Sequence, residues 1–267
     1  MLGAVTGDII GSVYEFKDHK TKDFPLFTDQ SIFTDDTILT VAVADVLLNG
    51  GTYTDAFKRY YRRYPEPCGG YGARFQAWAA SADSQPYNSW GNGAAMRVSP
   101  VAYAHSRLED VLSAAQQTAV VTHNHPEGIK GAQATAAAIF LARQGRSKDA
   151  IKQYVETTFG YDLSRRLDQI RPVYQFDESC QRTVPEAMIA FLESTSFTDA
   201  IRNAVSLGGD ADTLTCITGS IAEAFYGHVP EAVAEQVWPL LPDPLKTVIV
   251  QFQASFNMVD PASRRNM

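Results

Sequence analysis

Ile38 to Asn49 is so evenly apolar that a helix built from it has no solvent face, and a helix that is apolar all round belongs in a core. Directly before it stands Thr34-Asp35-Asp36-Thr37, which puts two adjacent carboxylates at the head of a buried rod. A single Asp there is an ordinary cap for orphan N–H groups and offsets the helix dipole. Two of them between threonines also offer hard oxygen ligands, which suit Mg²⁺, Mn²⁺ or Ca²⁺ rather than zinc. The arrangement returns late in the chain, where Gly208-Gly209-Asp210-Ala211-Asp212-Thr213 precedes Leu214 to Tyr226, a helix of small and apolar residues closed by Gly227.

The rest of the pattern is helical. Met1 to Phe16 reads as a central helix in which Gly3, Gly7 and Gly11 recur every fourth residue, leaving a bare stripe for another backbone. Each glycine costs about 1 kcal/mol relative to alanine in a helix interior, so close packing must compensate. Asp8, Ser12 and Glu15 fall on one line of the same helix, which ordinarily means a solvated edge. Lys17 to Phe33 has no period, and loops longer than about 12 residues are uncommon unless functional, so it reads as a lid between Glu15 and the Asp pair.

Thr54 to Tyr64 and Ala73 to Ala82 are scaffold helices joined by the glycine-rich connection 67–72. Ser89-Trp90-Gly91-Asn92-Gly93 feeds a helix over Ala94 to Ala104, whose N-terminus would seat a phosphate, although Asn-Gly is also a plain turn signal. His123 and His125 precede the helix Glu127 to Gln144 without a third ligand at metal spacing, so no zinc site is expected. Lys148 to Thr158 and Arg165 to Ile170 follow as helical segments. A capping box at Thr183-Val184-Pro185-Glu186 predicts a helix over Pro185 to Glu193. Thr198 to Ser206, Pro230 to Pro239 and Leu245 to Phe256 complete the series. Alternating β-type runs are almost absent, and the fold class is all-α.

Composition narrows the possibilities. A chain of 267 residues that is 45% hydrophobic can bury a sizeable core, and one domain over 1–267 is expected. No apolar run reaches the roughly 18 residues of a membrane span, and the start of the chain lacks a basic leader region, so a mature protein from Met1 is expected. Three cysteines at spacings that fit no disulfide framework suit a reducing, cytoplasmic setting. A net charge of −7 opposes general nucleic-acid binding. A monomer is the expected state.

If the two acidic helix heads meet, Asp35, Asp36, Asp210 and Asp212 share one site. Like charges a few Å apart repel strongly even at a moderate dielectric, so such a site takes up protons or binds cations, and two divalent ions would neutralise it. If each head is separately capped and exposed, no site forms.

Five segments, GDIIGSVYE (7–15), FTDDT (33–37), SWGNGAAMRVSP (89–100), TH (122–123) and LGGDADT (207–213), occur in an order that resembles the ADP-ribosylglycohydrolase family across nearly the whole chain. The resemblance implies a compact orthogonal multi-helix bundle with a binuclear Mg²⁺ or Mn²⁺ site in a central cleft. Carried over position by position, the metal ligands would be Thr34, Asp35, Asp36, Asp210, Asp212 and Thr213, with Asp212 a bridge. Ala211 replaces the more usual Thr at a position whose side chain would not be a ligand. Glu15 matches the family's functional glutamate and, with Asp36 and Asp212, would carry catalysis. Ser89, Trp90, Gly91, Asn92, Gly93 and His123 would line the ADP-ribose site.

The implied reaction is hydrolysis of the bond between ADP-ribose and an acceptor on a protein or small conjugate, releasing ADP-ribose. Its oxocarbenium-like transition state needs a positioned ribose, a protonated leaving group and a water. A silent ADP-ribose-binding module and a two-metal phosphohydrolase are the alternatives. Nothing in the sequence selects among an arginine, a serine, another side chain, a nucleobase or an acetyl ester as acceptor.

Overall fold

The computed structural model describes residues 1–256, and 257–267 of the expected single domain lie outside the described residues. Among the described residues there is no strand, and one isolated bridge joins Gly91 to Ser179. The helices are α1 (Leu2–Gly11), α2 (Asp35–Asn49), α3 (Tyr53–Arg63), α4 (Ala73–Ala80), α5 (Gly93–Met96), α6 (Val101–Ala104), α7 (Leu108–Val120) and α8 (Pro126–Arg143). They continue with α9 (Lys148–Phe159), α10 (Leu167–Ile170), α11 (Cys180–Leu192), α12 (Phe197–Val205), α13 (Ala211–Tyr226), α14 (Glu231–Val237), a 3₁₀ turn over Trp238–Leu240, and α15 (Asp243–Ser255).

The molecule is built around α1 against α13. Every residue of α1 is buried, and its glycine stripe lies on the backbone of α13. A methyl group on Gly7 would stand 2.0 Å from the Thr215 carbonyl oxygen, and one on Gly3 would stand 2.3 Å from that of Gly219. The Thr215 hydroxyl donates to the Gly7 carbonyl at 2.7 Å, a hydrogen bond that only so close an approach allows. The apolar α2 packs against α1, α3 and α15, which brings its acidic head beside the head of α13.

Four expectations change. Helix α1 stops at Gly11 rather than Phe16, because the Ser12 side chain donates back to the Ile9 carbonyl and the chain turns with Tyr14 N–H on Gly11 O at 2.7 Å. Glu15 is therefore on a turn and does not continue a line from Asp8. The helix expected over 94–104 breaks into α5 and α6 ahead of Pro100, which disfavours helical geometry in the residue before it. Helix α11 begins at Cys180, so Pro185 lies inside it. Thr183 does not cap, and its hydroxyl donates to the Asp177 carbonyl and accepts from Asn92. Finally, α7 has no counterpart among the predicted helices, although Leu108, Val111, Ala115 and Ala119 carry the helical period.

Candidate metal-binding cleft

The two acidic heads meet. The Thr213 hydroxyl donates to Asp36 Oδ2 at 3.3 Å across 177 sequence positions. A third carboxylate comes from α1. Asp8 is wholly buried and accepts from Thr34 N–H (2.9 Å), the Thr34 hydroxyl (2.6 Å) and Thr37 N–H (3.1 Å), so it caps α2 from another helix. Asp8, Asp36 and Asp212 each bring an oxygen to within 4.8 Å of the others, an arrangement that could hold a metal ion. The sequence reading missed Asp8 as a site residue. Its signal was a carboxylate on an all-apolar helix, which the reading ascribed to a solvated edge.

The partners of these acids are neutral. Asn92 Nδ2 donates to Asp210 Oδ2 at 2.7 Å, Thr213 N–H donates to Asp212 Oδ1 at 2.9 Å, and Thr34 accepts from Asp36 N–H at 3.2 Å. Asp36 Oδ1 is buried without a hydrogen-bond partner among the described residues. Burial first, and neighbouring carboxylates second, push Asp35, Asp36 and Asp212 well above the usual carboxylate range. Crowded, uncompensated hard oxygens with an orphaned lone pair fit a divalent cation.

These groups form the acidic end of a cleft of about 390 Å³. Glu15 stands over it, half-buried, its pKa pushed up to about 7 by burial and then by the charges of Asp210, Asp8 and Glu178. Gly69 lies against it with φ +76°, and a Cβ there would stand 2.6 Å from Glu15 Oε2, so the 67–72 connection is a wall of the site. The expected lid is not one. Lys20 Nζ donates to the Tyr174 and Leu207 carbonyls at 2.6 Å each, and Arg202 holds the Lys22 and Phe24 carbonyls at 2.7 Å each. These bonds fasten the segment to the α12 side, and none of residues 17–33 lines the cleft.

Ser89, Gly91, Asn92, Gly93 and His123 also line the cleft, with Asn92 reaching Asp210 of the acidic head. Trp90 does not: it is 47% exposed, with its ring 5.5 Å from that of His125. The loop is stitched to the start of α11 by Asn92 N–H on the Glu178 carbonyl (2.7 Å) and Cys180 N–H on the Trp90 carbonyl (3.0 Å). The helix expected to seat a phosphate here is only one turn long, and the Gly91 and Asn92 N–H groups are already engaged by Ser89 Oγ and the Glu178 carbonyl. Two cationic groups belong to the cleft as well. Arg74 lines the cleft, and Arg97, fully buried, sits behind the loop with its guanidinium 4.2 Å from the Phe57 ring. Arg97 was legible as a lone charge in an apolar run, and the sequence reading passed over it.

Fold and site together define an all-α protein with a carboxylate-walled, metal-competent cleft. The model of the ADP-ribosylglycohydrolase family matches residues 1–257, and the chain belongs to that family. It is 27% identical to bovine (Bos taurus) ADP-ribosylhydrolase ARH3, over 87% of this chain and 86% of that protein. It is also 27% identical to ADP-ribosylarginine hydrolase Tri1 of Pseudomonas putida (strain GB-1), over 89% of this chain and 73% of the relative. A solved structure described as an ADP-ribosylglycohydrolase-related protein complex superposes with a TM-score of 0.73 at 26% identity, covering 96% of this chain and 95% of that one.

Proposed function

We propose that the chain hydrolyses the glycosidic bond between ADP-ribose and an acceptor, releasing ADP-ribose. The observation that carries this reading is the mixed lining of the cleft: carboxylates from α2 and α13 and Glu15 share it with Arg74, Arg97 and His123. An ADP-ribose conjugate calls for both kinds of group, with a ribose diol beside the scissile bond for metal-held oxygens and a diphosphate for cationic ones.

Two Mg²⁺ or Mn²⁺ ions would be held by Asp35, Asp36, Asp210, Asp212 and Thr213. The Thr34 hydroxyl, which donates to Asp8 and accepts from Asp36 N–H, keeps a lone pair for one of them. Such ions, when bound, supply Lewis-acid charge that holds a diol and acidifies a water. Asp8 fixes the α2 head so that Asp36 stays aimed at the site. Glu15, whose burial favours the protonated carboxyl, acts as general acid/base at the leaving group. Ser89, Asn92 and His123 offer polar groups to the nucleotide end.

The test incubates Mg²⁺- or Mn²⁺-loaded protein with ADP-ribosyl-arginine and ADP-ribosyl-serine peptides, with and without EDTA, and separates the nucleotides. EDTA-sensitive release of free ADP-ribose is expected. Release of AMP instead would assign the cleft to phosphoryl chemistry, and binding without product would make it a reader.

A further inference from the structure

The rim of the cleft beside Glu15 is aromatic. Phe16, the next residue in the chain, lines the cleft and is 73% exposed. Its ring stacks on that of Phe176, itself 46% exposed, with 5.9 Å between centroids and 22° between planes. Single exposed apolar side chains are ordinary on a protein surface, but a stacked pair left open at the edge of a site marks a contact to be made. The pair is also held in place. Lys20 Nζ donates to the Tyr174 and Leu207 carbonyls at 2.6 Å each, which ties the segment after Phe16 to the one that carries Phe176 and to the approach to α13. Gly209 keeps that joint close, since a Cβ there would stand 2.7 Å from the Tyr174 ring and 3.2 Å from the Gln175 carbonyl oxygen.

Glu178, two residues beyond Phe176, lines the cleft as well and lies close enough for its charge to act on Glu15. The neighbouring charges are taken: Asp177 pairs with Arg182 at 3.4 Å, and Lys17 Nζ lies over the Tyr14 ring. The Glu178 carboxylate has no hydrogen bond or ion pair among the described residues. An open aromatic face and an unpaired carboxylate thus share one rim.

We propose that Phe16, backed by Phe176, and Glu178 form the acceptor seat of the cleft and select a planar cation, the guanidinium of an ADP-ribosylated arginine. This rests on the glycohydrolase reading under Proposed function, in which Glu15 acts at the leaving group. Phe16 follows Glu15 at the about 3.8 Å that separates consecutive Cα atoms, so a leaving group served by Glu15 comes within reach of the Phe16 ring. A guanidinium lies flat on an aromatic face and gives N–H donors to a carboxylate, and it stays planar and charged when one nitrogen carries a ribose. A serine oxygen is neutral and engages neither group, and an ammonium has no plane to stack.

The experiment follows release of free ADP-ribose by the full, Mg²⁺-loaded chain from one peptide carrying ADP-ribosyl-arginine and from the same peptide carrying ADP-ribosyl-serine. ADP-ribose affinity is measured beside it by calorimetry. The wild type is expected to turn over the arginine conjugate at least about tenfold more efficiently. Phe16→Ala is expected to lose about tenfold in kcat/KM on that conjugate, mostly through KM, and Glu178→Gln about fivefold. ADP-ribose itself, which lacks the acceptor, is expected to bind both variants as it binds the wild type. Equal or better release from the serine peptide would overturn the inference and leave the glycohydrolase reading standing. Variants that keep full efficiency on arginine, or that lose ADP-ribose affinity in step, would take the seat away from Phe16 and Glu178. No release from either peptide would overturn the inference as well, and a protein that also fails to bind ADP-ribose would sink the reading of the cleft.

Discussion

At the scale of the residue, the site depends on a few side chains whose neighbours leave them one use. Glu15 is raised to about 7 and faces the metal-competent carboxylates, so Glu15→Gln is expected to lower kcat by at least about 100-fold while ADP-ribose affinity changes little. Single-turnover assays beside calorimetry would check this, and a fully active variant would remove Glu15 from the chemistry. Asp8 makes three hydrogen bonds to the head of α2, all as an acceptor. Asp8→Asn can keep its carbonyl oxygen on the Thr34 and Thr37 N–H groups but turns an NH₂ onto the Thr34 hydroxyl and removes a negative charge from the site, and weaker Mg²⁺ binding by calorimetry is the expected outcome. The sequence made Asp36, Asp210 and Asp212 legible because doubled acids before apolar helices are hard to explain otherwise. It left Asp8 and Arg97 unread because a lone charge in an apolar run has no partner until the chain folds.

At the scale of the element, the glycine stripe of α1 is the joint on which the site hangs. Gly7→Ala would drive a methyl into the Thr215 carbonyl, part of the backbone and unable to step aside, and a loss of about 3 kcal/mol in urea unfolding is expected. Gly72→Ala, where a Cβ meets nothing within 4 Å, is the control and should cost no more than about 1 kcal/mol. This close approach was readable from the four-residue glycine spacing. The end of α1 and the early start of α11 were not, because one turns on the Ser12 hydroxyl taking the Ile9 carbonyl and the other on a bond from Cys180 N–H to the Trp90 carbonyl 90 residues away, whereas the break ahead of Pro100 was readable from the proline itself. The family motifs survive these errors because they sit on loops and helix heads, where a shifted boundary leaves the neighbouring residue in place.

At the scale of the molecule, the carboxylates make stability depend on metal and on pH together. In the metal-free protein Asp8 and Glu15 have folded pKa values of about 6 and about 7 against ordinary values of 3.8 and 4.5. The folded state thus holds protons that the unfolded state has lost, and the site's contribution to stability falls as pH rises through that window. Mg²⁺ at 100 times its dissociation constant adds about 2.7 kcal/mol, which for a chain of this size raises Tm by about 5–10 °C. The increment should be larger at the alkaline side of the window than at the acidic side. Thermal melts with Mg²⁺ and with EDTA at both ends would check it, and a metal effect independent of pH would mean that the acids do not hold the ion. The pairing of α1 with α13 also governs how the protein is made. The ribosome releases α1 roughly 200 residues before α13, so for most of translation its glycine stripe lacks the backbone it packs on, with α2 alone of its large partners made early. A nascent chain stalled before Asp210 carries half a metal site and an uncovered glycine stripe on α1.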